Sequence, residues 1–429
     1  MTFSLLVRSV LALLASVAIA GLALTHAAVP PASALRAELS NRSDSGPVLP
    51  SPPPEAVLPA SRWPKGRSQA TPITTRPQPG VVIQPGFDVS DFPNVPGHIF
   101  FDGTDHNIRF VTGRHARRLF TGDGSSVAPA LSPNGQSVAW VELQRNYSDI
   151  YMTTLAYRRD GTVVAMTTTQ LTQDQSPPPA LETSPAPAGV YDPRYEWWAT
   201  KPAWLPDGQH LLYLSDRPGF DPNNQENATM SVWEQGLGAP ITNAVRLTIA
   251  TPDTGGHDSA AWRPHDPTTF LYVNYYQNSV TLPGGEGVIE VASVPTTTTP
   301  APDTITAQGL TPHGATEYQP AWSPDGHYIA FVEDKGHTRS NLLVMPFHAP
   351  GRPLDYYRAV TVAKGHPWIV QPFWSPDGRY LGYLSNTGGD FALVIRRAYL
   401  GGRQPHFGPP LSIPQAGAVS ADYRPSWGP

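Results

Sequence analysis

Apolar residues in this chain come in short runs, and the runs are placed by a repeat. Tyr328-Ile329-Ala330-Phe331-Val332 and Tyr380-Leu381-Gly382-Tyr383-Leu384 each follow Pro-x-Trp-Ser-Pro-Asp-Gly after a single residue. Five stretches align on that pattern: Pro129–Gly135, Pro202–Gly208, Ala260–Asp266, Pro320–Gly326 and Pro372–Gly378. A truncated sixth, Pro425-Ser426-Trp427, stands at the C-terminus. Runs this short, bounded by Pro and Gly, predict strands rather than helices. Strand-turn-strand units repeating every roughly 40–60 residues predict a propeller or a related array.

Each letter of the repeat has a mechanical role. Pro presets φ at the first turn position, Asp tolerates the second, and Gly supplies the positive φ that closes a hairpin. The strand after the turn is apolar enough to be covered on both faces, as it would be between neighbouring blades. The Trp before the turn is large enough to fill the wedge between them. A third strand is predicted at Asp149–Met152 and Asn341–Val344, and an edge strand near Gln170-Leu171-Thr172 and Arg246-Leu247-Thr248. Residues 97–120 hold three strands with no Pro-x-Trp before them, and the C-terminal copy has nothing after it. Joined, they complete a blade and remove the exposed sheet edges. The prediction is an all-β, six-bladed propeller over residues 97–429, closed by pairing of Trp427 beside residues 97–101.

The segments before the ring read differently. Residues 1–34 carry an uncharged apolar run, Val10–Leu24, then the small-residue site Ala32-Ser33-Ala34. A signal peptide and a retained N-terminal membrane anchor over residues 3–24 both fit. Residues 35–96, with Pro50-Ser51-Pro52-Pro53-Pro54, show no period and are expected to form a proline-rich disordered linker. The expected location is therefore outside the cytoplasm, periplasmic or extracellular.

Composition removes several classes. With no cysteine among 429 residues there is no disulfide, thiolate nucleophile or Cys-bound metal. A net charge of -5 argues against a nucleic-acid partner. Neither a G-x-S-x-G elbow, a P-loop nor an H-E-x-x-H motif is present. No cofactor is implied, and a monomer is expected.

The P-x-W-S-P-D-G-x-x-I-A-F unit resembles the propeller repeat of the TolB family, which is also seen in propeller domains of prolyl-oligopeptidase-like enzymes. The likeness is sharpest at Trp322–Val332 and Trp374–Leu384 and degraded at Arg263-Pro264-His265-Asp266. It implies an extracytoplasmic propeller that binds a protein or peptide. A true TolB has a folded α/β domain before its propeller; here a proline-rich linker is expected in that place.

Candidate binding residues come from position in the repeat. Those just upstream of each Pro-x-Trp should ring one mouth of the central channel: Glu196, Trp197, Trp198 and Lys201; His257 and Asp258; Glu317 and Tyr318, followed by Gln319; Trp368, with Gln371; and Asp422, Tyr423 and Arg424. Convergent aromatics with a few charges suit a peptide or a glycan, and an extended peptide or polypeptide terminus is the expectation. The competing reading is that the aromatics pack loops and the acids cap local amides. Asp216, Asp221, Asn223, Asn224, Glu226 and Asn227 form a polar loop with oxygen ligands for a hard cation, though without EF-hand order, so no metal site is assigned. The alternative function is a propeller enzyme, a metal-dependent lactonase-like hydrolase or a lyase.

Overall fold

The computed structural model describes residues 97–428 apart from several connections, of which 173–196, 217–229, 239–243, 249–253, 277–285 and 295–304 are the longest. The N-terminal apolar segment, the linker and most of the polar loop at 216–227 lie outside the described residues.

Why the repeat makes a hairpin is visible atom by atom. In Ser375-Pro376-Asp377-Gly378, the Ser375 hydroxyl donates to Asp377 Oδ1 at 2.7 Å and accepts from the Tyr380 amide at 2.9 Å. Asp377 Oδ1 also accepts from the Arg379 amide, and Gly378 N–H closes the turn onto Ser375 O. Ser323, Asp325 and Gly326 repeat the arrangement. The closing glycines, Gly135, Gly208, Gly326 and Gly378, all have φ between 64° and 70°, where a Cβ is strained. In the degraded copy His265 takes the left-handed conformation instead, at φ 62°.

Six antiparallel sheets result. Their innermost strands are Ser126–Leu131, Ala199–Trp204, Thr254–Trp262, Glu317–Trp322, Ile369–Trp374 and Ser426–Gly428. The last of these pairs with His98–Asp102, placing Trp427 opposite Ile99 and Ser426 opposite Phe100. We number the blades from that one: blade one holds residues 98–118 with 426–428, and blades two to six follow in chain order. The expected ring closure is thus present, with its sixth blade built from both ends of the domain.

Every blade is sandwiched, so the apolar core divides into six layers, one between each pair of neighbours. This is why Ile329–Val332 and Leu381–Leu384 carry apolar residues on both faces: Ile329, Ala330, Phe331 and Val332 are all fully buried. Repeat tryptophans bond across these layers as well as filling them. The indole N–H of Trp204, Trp322 and Trp374 donates to Ala130 O, Ala261 O and Ala321 O of the preceding blade, at 2.8, 3.1 and 3.2 Å. Outside the strands, the described residues include a short 3-10 helix at Pro353–Arg358.

Candidate binding channel

Each innermost strand of blades two to six breaks register at the same place. Pairing skips from Val127 to Ala130, Thr200 to Ala203, Asp258 to Ala261, Tyr318 to Ala321 and Val370 to Phe373. The first residue of each bulge, respectively Ala128, Lys201, Ser259, Gln319 and Gln371, has φ between 50° and 56°. A non-glycine residue there costs about 1–3 kcal/mol. The bulge turns that residue and its amide out of the ladder.

Side chains around the channel take up what the bulges release. Ala128 N–H donates to Asp102 Oδ2 of blade one at 3.1 Å, and Gln371 N–H to Gln319 Oε1 of blade five at 2.7 Å. Gln371 Nε2 reaches on to the carbonyls of Ala421 and Asp422. Lys201 Nζ pairs with Asp258 at 2.5 Å, joining blades three and four. Arg424, just before the closing strand of blade one, donates through Nη2 to Pro320 O of blade five at 2.8 Å. The result is a polar belt at mid-depth in the channel.

Burial sets the electrostatics of this belt. Asp102 is buried and its pKa rises to about 8; desolvation is the main cause, the Ala128 amide opposes it, and the Asp422 charge adds to it. Arg424 falls to about 10 through desolvation, with Asp258 acting in the opposite direction, so it remains a cation at neutral pH. Burial, followed by the charges of Asp102 and Asp422, holds the Tyr423 hydroxyl well above its ordinary range.

On the turn side of the belt lies a cavity of about 450 Å³ that all six blades touch. Its wall is made by the repeat: the hairpin prolines Pro133, Pro206, Pro264, Pro324 and Pro376, with Trp204, Trp262 and Trp427. Its floor includes Lys201, Gln371, Tyr423 and Arg424. Of the residues expected to ring a mouth, Trp197, Trp198, His257, Asp258, Glu317, Tyr318 and Trp368 precede the bulges, whereas Lys201, Gln319 and Gln371 are the bulge residues themselves. Lys201, Tyr423 and Arg424 reach the cavity; Asp258 stands behind Lys201.

The remaining candidates are dispersed. His257 is buried, bonded through Nδ1 to Thr248 Oγ1 at 2.8 Å, and burial lowers its pKa to about 3. Glu317 is fully buried and accepts from Tyr356 Oη at 3.0 Å. Its pKa rises to about 7, mainly through burial, while bonds from Tyr356 and Thr311 pull it down and the Glu333 charge adds to the rise. Both residues are held by a threonine of the preceding blade. Thr248 and Thr311 also accept the Val232 and Ile289 amides, so they latch one blade to the next.

Trp197 and Trp198 are half-buried beside blade two, where Trp197 O accepts from Ser148 N and Trp198 N–H donates to Asp216 Oδ1. Tyr318 and Trp368 are half-buried against interblade core, and Asp422 is exposed. Glu196 lies outside the described residues, as do Asp221, Asn223, Asn224, Glu226 and Asn227. Among the described residues no three His, Asp or Glu groups converge as metal ligands.

Asp102 escaped sequence reasoning because blade one carries no repeat ahead of it to align. The bulge residues escaped because Ala, Lys, Ser and Gln share no signature.

No protein-family model matches the chain, and no curated protein matches it either. Similar solved structures include TolB from Acinetobacter baumannii, with a TM-score of 0.49 and 16% identity over 78% of this chain and 68% of that one. An oligogalacturonate lyase in complex with manganese gives 0.39 and 11%, over 68% of each chain. A nidogen/laminin complex gives 0.44 and 12%, over 77% of this chain and 97% of that one.

Proposed function

We propose that this chain is a non-enzymatic, extracytoplasmic propeller that binds a segment of a protein or peptide in its central channel, in a cell-envelope scaffold or translocation-type role. One observation carries the reading: the channel holds a cavity of about 450 Å³ with apolar walls and a polar floor, bounded by every blade. That volume falls within the roughly 300–1,000 Å³ of ligand sites, and the mix of wall and floor is what such sites use. The expected apolar segment over residues 3–24 and the linker to residue 96 would export the ring and hold it near a membrane.

The test is selection of a random peptide library on the purified protein, repeated with Ala203→Phe. Ala203 lines the cavity, so the added ring fills it. A selected peptide should lose at least tenfold in affinity against A203F, with both proteins melting at similar temperatures. Undiminished binding would place the peptide outside the channel and refute the proposal.

A further inference from the structure

The cavity wall is apolar and its floor is not neutral. Among the described residues, no Asp or Glu lines the cavity, whereas Lys201 and Arg424 do. Lys201 has a counter-ion in Asp258 at 2.5 Å. Arg424 has none at ion-pair distance among the described residues. Its Nη2 is spent on a carbonyl, Pro320 O, and its buried Nε–H has no hydrogen-bond partner. Burial lowers the pKa of that guanidinium only to about 10, so it stays a cation at neutral pH.

The other acids nearby do not cancel this charge. Asp102 is held protonated at neutral pH by burial. Asp422 accepts from the Ser420 hydroxyl at 2.9 Å and is exposed, so solvent screens its charge from Arg424. The floor therefore carries a surplus of one positive charge beneath walls of proline and tryptophan.

From this we infer that the turn-side cavity seats a single carboxylate borne on an apolar or aromatic body, with Arg424 and Lys201 as its charged partners. The inference rests on the channel being a binding site and adds the chemistry of what enters it. A surplus of one charge favours a monoanion over a phosphate. The planar guanidinium edge matches a carboxylate. The C-terminus of a polypeptide and a free aromatic acid share this chemistry, and Pro or Trp side chains would stack on the wall.

Calorimetry with defined probes separates these outcomes. N-acetyl-Pro-Trp with a free carboxylate should bind at least tenfold more tightly than its C-terminal amide, the scale of a charge-assisted bond in a confined site. Lys201→Asn, a residue tolerated at positive φ, should remove about tenfold from the acid and little from the amide. Arg424→Gln should abolish the preference; because Arg424 also ties blade one to blade five, its melting temperature is measured alongside, and K201N stands alone if it unfolds. Binding of 3-phenylpropionate as tight as the peptide would support the carboxylate seat and identify a free acid as its source. Equal binding of acid and amide would overturn the inference while leaving the channel reading intact. Inorganic phosphate displacing the acid at equal concentration would also overturn it. Absence of binding by acid and amide alike, with library peptides still sensitive to A203F, would sink the inference alone; loss of that sensitivity would sink both.

Discussion

Replacing Trp427 by Ala tests ring closure where it is least supported by chain connectivity. Trp427 sits on a strand of three residues, Ser426–Gly428, that reaches blade one from the far end of the domain. Its side chain is buried against blade six, with ring centroids 5.9 Å from Phe373 and 6.1 Å from Tyr380. Ser426 Oγ accepts from the Leu131 amide of blade two at 2.9 Å, so the strand ties three blades together. Truncating a buried aromatic to Ala costs about 3–5 kcal/mol in lost burial and residual cavity. For a domain of this size that is a fall of roughly 4–7 °C in melting temperature. Thermal unfolding followed by circular dichroism reads it directly, and limited proteolysis should show earlier cleavage near residues 97–120. A variant melting within 2 °C of the parent would show that the C-terminal strand does not close the ring, and the six-blade account would fail.

Stability should also depend on pH in a defined direction. His98 and His257 are buried and neutral, at about 4 and about 3 against an ordinary 6.5, so below pH 6.5 the unfolded chain takes up protons that the folded chain refuses and stability falls. Asp102 and Glu317 act oppositely: raised to about 8 and about 7, they stabilise fully in acid, and that contribution is lost as pH rises through those values. The two effects oppose each other below pH 6.5, leaving above it a decline of up to about 1.4 kcal/mol per pH unit for each carboxyl, which ends near pH 7 for Glu317 and near pH 8 for Asp102. Asp102→Asn should remove its share of that decline; an unchanged profile would show that Asp102 ionises normally. In blade six, Gly382→Ala should destabilise by about 1–3 kcal/mol, since its Cβ would meet Phe373 Cζ at 2.2 Å. Phe373→Ala, which restores the Ala found opposite Ala330 in blade five, should make G382A harmless in a double-mutant cycle. Additive losses would contradict the pairing.

The fold was legible because its signals are local. Turn chemistry sits within five residues, as in Ser375 to Tyr380, and the wedge Trp holds one place in every copy but the first, which has Leu131. Even closure could be read, since an unmatched Trp427 and three unmatched strands can complete only each other. The lining of the candidate cavity was legible in part. Lys201, Tyr423 and Arg424 were found because they adjoin the repeat, whereas Glu317 and His257, singled out by the same logic, are latched into blade junctions by Thr311 and Thr248. His257 and Glu317 stand before their bulges, whereas Lys201 is a bulge residue and Tyr423 and Arg424 lead into the closing strand. No residue type marks the bulge, because the geometry of the ring imposes it at Ala, Lys, Ser and Gln alike. The repeat's prolines and tryptophans read as turn and wedge alone, and the structure shows them walling a cavity too.

The channel claim can be tested most directly on the eleven tryptophans of the chain. Their indole N–H groups give separate signals in a proton–nitrogen correlation spectrum of labelled protein. Titration with a library-selected peptide, or with N-acetyl-Pro-Trp, should shift Trp204, Trp262 and Trp427, which line the cavity. Trp140 and Trp233, buried in interblade core away from it, should stay unmoved. Shifts confined to Trp140 and Trp233, or a peptide that binds while the three cavity tryptophans stay still, would contradict the account.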